Sequence, residues 1–112
     1  MLQKIQELFE QKKVYLRSSL TIQEVADCIG TNRTYISSVI NEFSKQNFSA
    51  FVNQYRLQEL EKILRSGQNL QAHQLAELTG FGSVDSMKRA LKMKTNKSLT
   101  EWKEEIIKQS HK

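Results

Sequence analysis

The chain has no proline, four glycines and one cysteine among its 112 residues. Without proline, and with glycine so sparse, little in the sequence interrupts a helix. A single thiol, Cys28, cannot close an internal disulfide, which fits a reducing compartment and leads us to expect a cytoplasmic protein. Cys28 falls at a half-buried position of a predicted helix and is read as core filler, not as a nucleophile. No apolar run exceeds three residues, whereas a membrane-spanning helix needs about 20, so no membrane contact is expected. Residues 1–10 lack the apolar block of a secretory leader. The two histidines, His73 and His111, stand 38 residues apart with no cysteine or carboxylate spacing suited to a metal. His73 comes early in a short helix and reads as a surface or boundary residue. Neither a metal, a cofactor nor a catalytic residue is expected, and an enzyme finds no nucleophile–base pair to work with.

What is present is ordinary for one globular domain: 38% hydrophobic and 26% charged residues. The net charge of +5 is unevenly spread. Residues 1–80 hold nine Lys/Arg against eight Asp/Glu, while residues 81–112 hold eight against four. The stretch "KRALKMKTNK" (Lys88 to Lys97) has five cations and no acid. It reads either as a phosphate-binding surface or as a solvated helix face.

The strongest signal is internal. "LTIQEVADCIGTNRTYISSVINEF" from Leu20 aligns with "LQAHQLAELTGFGSVDSMKRALKM" from Leu70. At an offset of 50, Leu20, Val25, Ala26 and Gly30 fall on Leu70, Leu75, Ala76 and Gly80. One extra residue after Gly80 changes the offset to 51, and Ile36, Val39, Ile40, Phe48 and Phe51 then fall on Met87, Ala90, Leu91, Leu99 and Trp102. One supersecondary unit is present twice, with its hydrophobic register kept.

Each unit reads as helix, tight turn, helix. Thr21 and Glu24 make a capping box, and Ile22, Val25, Ala26 and Ile29 a buried stripe. Gly30 stops the helix and Asn32 caps the next, which runs from Arg33 to about Phe43 with Ile36, Val39, Ile40 and Phe43 on its inner face. In the second unit a helix spans about Ala72–Leu78, Gly80 is the stop, Ser83 the cap, and a further helix reaches about Lys94. Short helices joined by three or four residues with a glycine form the helix-turn-helix pattern, which suits the small Ala26 and Ala76 at a close crossing. A bundle made by duplication shares the pattern.

Between the units, "SAFVNQYRLQELEKILRSG" predicts a longer helix with Ser49 as cap and Ser66-Gly67 as stop. Its apolar residues spread over more than one face, as suits a helix packed against both units. Residues 49–65 would make a rod of roughly 26 Å, against about 34 Å between adjacent major-groove turns. Ahead of all this, Ile5, Leu8, Phe9 and Leu16 mark a helix that covers the first unit.

The outer face of the second helix of unit one is unusual: Thr34, Ser37, Ser38 and Asn41 are small, uncharged and rich in hydrogen-bonding groups. Base edges in a major groove offer donors, acceptors and the thymine methyl, and small side chains allow a close approach. The matching residues of the second unit are Asp85, Lys88, Arg89 and Lys92. Arg89 can hold guanine O6 and N7 together, whereas Lys88 and Lys92 suit phosphates. Asp85 can accept from cytosine N4 or pair with Lys88 or Arg89, and pairing is the simpler expectation.

On these residues the chain resembles the DNA-binding domain of the AraC/XylS transcription regulators. The stretches "LTIQEVADCIGTNRTYISSVINEF", "NFSAFVNQYRLQELEKIL" and "GFGSVDSMKRALKMKTNKSLTEW" carry the likeness from Leu20 to Trp102, above all Gly80-Phe81 followed by Ser83. The wording "TNRTYIS" and "NF…FVNQYR" further resembles regulators of Bacteroidetes sensor systems. The resemblance implies an all-α, homeodomain-like fold of about seven helices in one monomeric domain over 1–112. Its parts would be an N-terminal helix (1–18), a first helix-turn-helix (20–46), a linker helix (48–66), a second helix-turn-helix (69–95) and a C-terminal helix (99–109). It implies sequence-specific binding of double-stranded DNA, base reading by Thr34, Ser37 and Ser38 and by Val84, Asp85, Lys88 and Arg89, and phosphate contacts from Asn32, Arg33 and Ser83 at helix N-termini. RNA polymerase would be a further partner, and a sensor domain would precede this segment in a longer chain. The pattern departs from the family in having Lys45 and Asn96 near places usually held by glycine, Ser98-Leu99 before the last helix, and no arginine near Ser38. A helical protein-interaction module that kept the fold without DNA is the competing reading, supported by the near-neutral first unit.

Overall fold

The computed structural model describes residues 2–110. Met1, His111 and Lys112 lie outside them, and with His111 one of the two histidines weighed as a metal ligand. Seven α-helices and one 3-10 turn make up the secondary structure, with no strand among the described residues. The helices are α1 (Leu2–Glu10), α2 (Ile22–Ile29), α3 (Arg33–Ser44), α4 (Phe48–Arg65), α5 (Ala72–Thr79), α6 (Val84–Thr95) and α7 (Leu99–Ser110). The chain forms two compact units, Met1–Tyr55 and Arg56–Lys112.

In the first unit α1 packs on α2 and α3. Ile5 and Phe9, four residues apart on α1, meet Val25, Ala26, Ile36, Ile40, Phe51 and Val52 in a closed core. The helix expected over residues 1–18 is shorter than that. It ends at Glu10, Lys13 takes a left-handed conformation (φ 50°), and Val14–Leu16 form the 3-10 turn. The break has a packing reason. In a continuous helix Tyr15 would lie about 240° round from Phe9. With the chain turned, its ring stacks 6.4 Å from Phe9 and 5.5 Å from Tyr55. Phe9 in turn meets Phe51 at 5.0 Å and Tyr55 at 5.1 Å. Burial, and the Glu10 carboxylate that accepts the Tyr55 hydroxyl at 3.4 Å, hold the Tyr55 phenol above its ordinary pKa.

The second unit closes its own core from Leu57, Leu60, Leu64, Leu75, Ala76, Phe81, Met87, Ala90, Leu91 and Ile106, with Trp102 half-buried at the edge. The repeat is thus visible in the packing. Val25 and Leu75, Ala26 and Ala76, Ile36 and Met87, and Ile40 and Leu91 occupy matching buried places in separate cores. α4 gives Phe51 and Val52 to the first core, and Leu57, Leu60 and Leu64 to the second. Its cap is Asn47, not Ser49: the Asn47 side chain accepts the Ala50 N–H at 2.8 Å. Asn47 has its repeat partner in Ser98, which accepts the Glu101 N–H at 3.2 Å while Glu101 accepts the Ser98 N–H at 3.1 Å. No described helix is long and apolar enough to cross a membrane.

Two further expectations give way. Phe43 is 53% exposed instead of buried on the inner face of α3. α2 has eight residues and α3 twelve, or about 12 Å against about 18 Å of rod, so the last turn of α3 outruns its partner. Cys28 is exposed, because the stripe Ile22, Val25, Ala26, Ile29 is centred about 110° away from it. Met87 is fully buried, whereas Met93 is 84% exposed.

Candidate nucleic-acid interface

The two turns are built alike from their local chemistry. α2 starts at Thr21, whose hydroxyl accepts the Glu24 N–H at 3.2 Å, and the Glu24 carboxylate pairs with Arg17 at 2.7 Å. α2 ends at Gly30 with φ 88°, and both Gly30 and Thr31 N–H groups donate to the Ala26 carbonyl, at 2.9 and 3.0 Å. A Cβ at Gly30 would meet no neighbour, so the backbone conformation alone calls for glycine there. Asn32 then caps α3, its Oδ1 accepting the Tyr35 N–H at 2.9 Å.

The second turn carries one extra residue, and its use is visible. Gly80 (φ 86°) closes α5, with the Phe81 N–H on the Ala76 carbonyl at 3.0 Å. Phe81 dips into the core beneath Arg56, whose guanidinium lies 5.9 Å from the ring centre, a cation–π contact. Burial lowers the Arg56 pKa from its ordinary value. Gly82 (φ 80°) turns the chain back out to Ser83, which caps α6 by accepting the Ser86 N–H at 3.1 Å. The "GF" pair is a fold device: it buries an aromatic inside a helix-turn-helix loop.

These caps fix where the outer faces of α3 and α6 begin. Thr34 and Asp85 are the second residues of their helices, and Ser37/Lys88, Ser38/Arg89 and Asn41/Lys92 follow at matching places. All eight side chains are exposed, as are Asn32, Arg33 and Ser83. Val84 differs: it is half-buried and packs on the second core, leaving only part of its surface for a ligand. Asp85 makes no ion pair with Lys88 or Arg89 among the described residues, against the pairing expected. Exposed pairs of long side chains gain little over solvent, and an acid in the first turn already meets the positive helix end. Lys92 Nζ donates to the Asn96 carbonyl at 3.3 Å. The Asn32 oxygen and the Ser83 hydroxyl are engaged as caps, so any anion at these helix starts would also meet free backbone N–H groups of the first turn. One residue on the outer surface escaped the sequence reading: Tyr35 beside Thr34 is 45% exposed. Its signal was that it stands outside the apolar stripe of α3.

Two separately cored helix-turn-helix units, each presenting one exposed face of a side-chain-capped second helix, define a tandem helix-turn-helix protein. Residues 25–105 match the profile of the family described as "Helix-turn-helix domain". The chain belongs to this family, the AraC-type helix-turn-helix regulators of transcription. No curated protein sequence matches it. Among solved structures it is similar to the C-terminal domain of AraT, a response regulator from Geobacillus stearothermophilus, with a TM-score of 0.74, 23% identity, and coverage of 82% of this chain and 75% of that one. It is also similar to the C-terminal domain of the two-component response regulator yesN from Fusobacterium nucleatum, with a TM-score of 0.75, 18% identity, and coverage of 88% and 97%. Both likenesses concern the fold.

Proposed function

We propose that this chain binds double-stranded DNA by sequence, with α3 and α6 entering adjacent major-groove segments, and so regulates transcription without enzymatic activity. The observation that carries the reading is the match of the two outer faces: four repeat-related positions on each, all exposed, on helices whose starts are fixed by Asn32 and Ser83. In this reading Thr34, Ser37, Ser38 and Asn41 contact base edges by hydrogen bonds and methyl contact. Arg89 grips a guanine, Asp85 stays open to a cytosine amino group, and Val84 offers a thymine methyl the edge it leaves uncovered. Asn32, Arg33, Ser83, Lys88 and Lys92 lie along phosphates. The protein works in the cytoplasm, as one part of a longer chain that carries a sensor domain and meets RNA polymerase. That the similar domains are C-terminal parts of response regulators supports its being one part of a longer chain.

The test is binding to a duplex of mixed sequence between about 50 and 200 mM salt. Affinity that falls steeply with salt supports the reading. No binding at low salt contradicts it and favours the protein-interaction module, for which the uncharged α3 face speaks.

A further inference from the structure

Of the five cations between Lys88 and Lys97, three meet in one place. Lys88, Lys92 and Lys97 line an open cavity of about 430 Å³, completed by Ser98 and Thr100 at the start of α7 and by Ala72 of α5. Lys88 and Lys92 also belong to the outer face of α6, so that face runs directly into the cavity. The acids nearby are Asp85 on α6 and Glu101, Glu104 and Glu105 on α7, the last three lining an adjoining hollow with Lys97 and Lys108. Glu105 is paired with Lys97. Glu101 accepts the Ser98 N–H and is held below the usual carboxylate range, first by that bond, then by the Ser98 hydroxyl, and least by Lys92 and Lys97. Asp85 sits one turn before Lys88 and pairs with no lysine among the described residues. Three lysines therefore line a cavity to which no described carboxylate contributes, and of the acids beside it Glu105 is held by Lys97 and Glu101 by its own helix start.

We propose that this cavity seats one phosphate of the DNA backbone beside the segment read by α6, with Lys97 leaving Glu105 for that phosphate. The proposal rests on the DNA-binding reading and extends the contact surface beyond the recognition helix to the α6–α7 turn and the start of α7. A backbone phosphate fits better than a free anion. Exposed lysines in water hold a lone ion weakly, whereas a polyanion adds the release of condensed counterions to each contact. The Lys97–Glu105 pair is then a brake: it must open before the seat is used.

The experiment measures binding of one mixed-sequence duplex across a salt series for Lys97→Gln, Glu105→Gln and the double variant, with circular dichroism and thermal unfolding as fold controls. Lys97→Gln should weaken binding roughly three- to tenfold and flatten the salt slope by about 0.9. Glu105→Gln should tighten it about threefold, and should do nothing once Lys97 is gone. Unchanged affinity and slope in Lys97→Gln overturns the seat while leaving salt-dependent binding by the parent chain, and so the DNA reading, intact. An equal gain from Glu105→Gln with and without Lys97 also overturns it, since that is a general charge effect. Selective competition by inorganic phosphate at constant ionic strength, lost in Lys97→Gln, would mark a free-anion site and overturn the backbone assignment. A parent chain that binds no duplex removes the DNA reading and the seat with it.

Discussion

Lys45 and Asn96, one repeat apart, share a left-handed backbone conformation, φ 58° and φ 60°. Each donates its N–H at 2.8 Å to the carbonyl four residues back, Asn41 and Lys92, and so ends α3 or α6. The conformation belongs to the repeat, not to the residue. Asparagine tolerates it, whereas lysine carries strain of about 1–2 kcal/mol.

Lys45→Gly should therefore stabilise the protein, by about 1 kcal/mol once the freer unfolded chain offsets part of the relief. Asn96→Gly should give less. Urea unfolding of both variants measures this, and equal or reversed effects would contradict the strain argument.

Phe9 is fully buried and touches three other aromatic rings. Phe9→Ala should cost about 3–5 kcal/mol, a large share of the stability of a small domain. Thermal unfolding followed at tyrosine should show the first unit failing at a lower temperature. A loss below about 1 kcal/mol would mean that the ring cluster around α1 is loosely held.

Arg89 and Lys92 should separate in their effects on DNA. Arg89→Ala should weaken binding to the preferred site by about 1–3 kcal/mol and relax the choice of base there. Lys92→Ala should weaken all duplexes alike and flatten the salt slope by about one. Neither side chain is buried, so circular dichroism should not change. Identical behaviour of the two variants would contradict the division between base and phosphate contact.

The raised pKa of Tyr55 has a pH consequence. The folded phenol keeps its proton above the ordinary value of 10.0 at which the unfolded one loses it. The stability this contributes is whole below that pH and is lost as pH rises through the folded value. Urea midpoints from neutral to strongly alkaline pH should fall less steeply in Tyr55→Phe than in the parent chain. Parallel curves would show that the phenol takes no part.

The architecture was legible in the sequence because it is written twice. The offset of 50 that becomes 51 placed both turns, and Ala26, Ala76, Gly30, Gly80, Asn32 and Ser83 each took the place their chemistry suggested. The misses have local causes. Residues around Lys13 look helical, yet the demand to bring Tyr15 under Phe9 and Tyr55 is tertiary and leaves no periodic trace. Phe43 matched the helical stripe, but a stripe does not say where the neighbouring helix stops. Asn47 competed with Ser49 as a cap, and only the backbone decides between two capping residues so close together. The exposed faces of α3 and α6 could be read residue by residue because exposure follows from the caps and the period. The meeting of Lys97 with Lys88 and Lys92 could not, since it depends on how the α6–α7 turn folds back.

The central claim is that both recognition helices read bases. Selection of bound duplexes from a random library at near-physiological salt, followed by sequencing, tests it most directly. Two short enriched blocks about 10 base pairs apart are the predicted result. A single enriched block would contradict reading by both helices, and no enrichment at all would contradict sequence-specific binding.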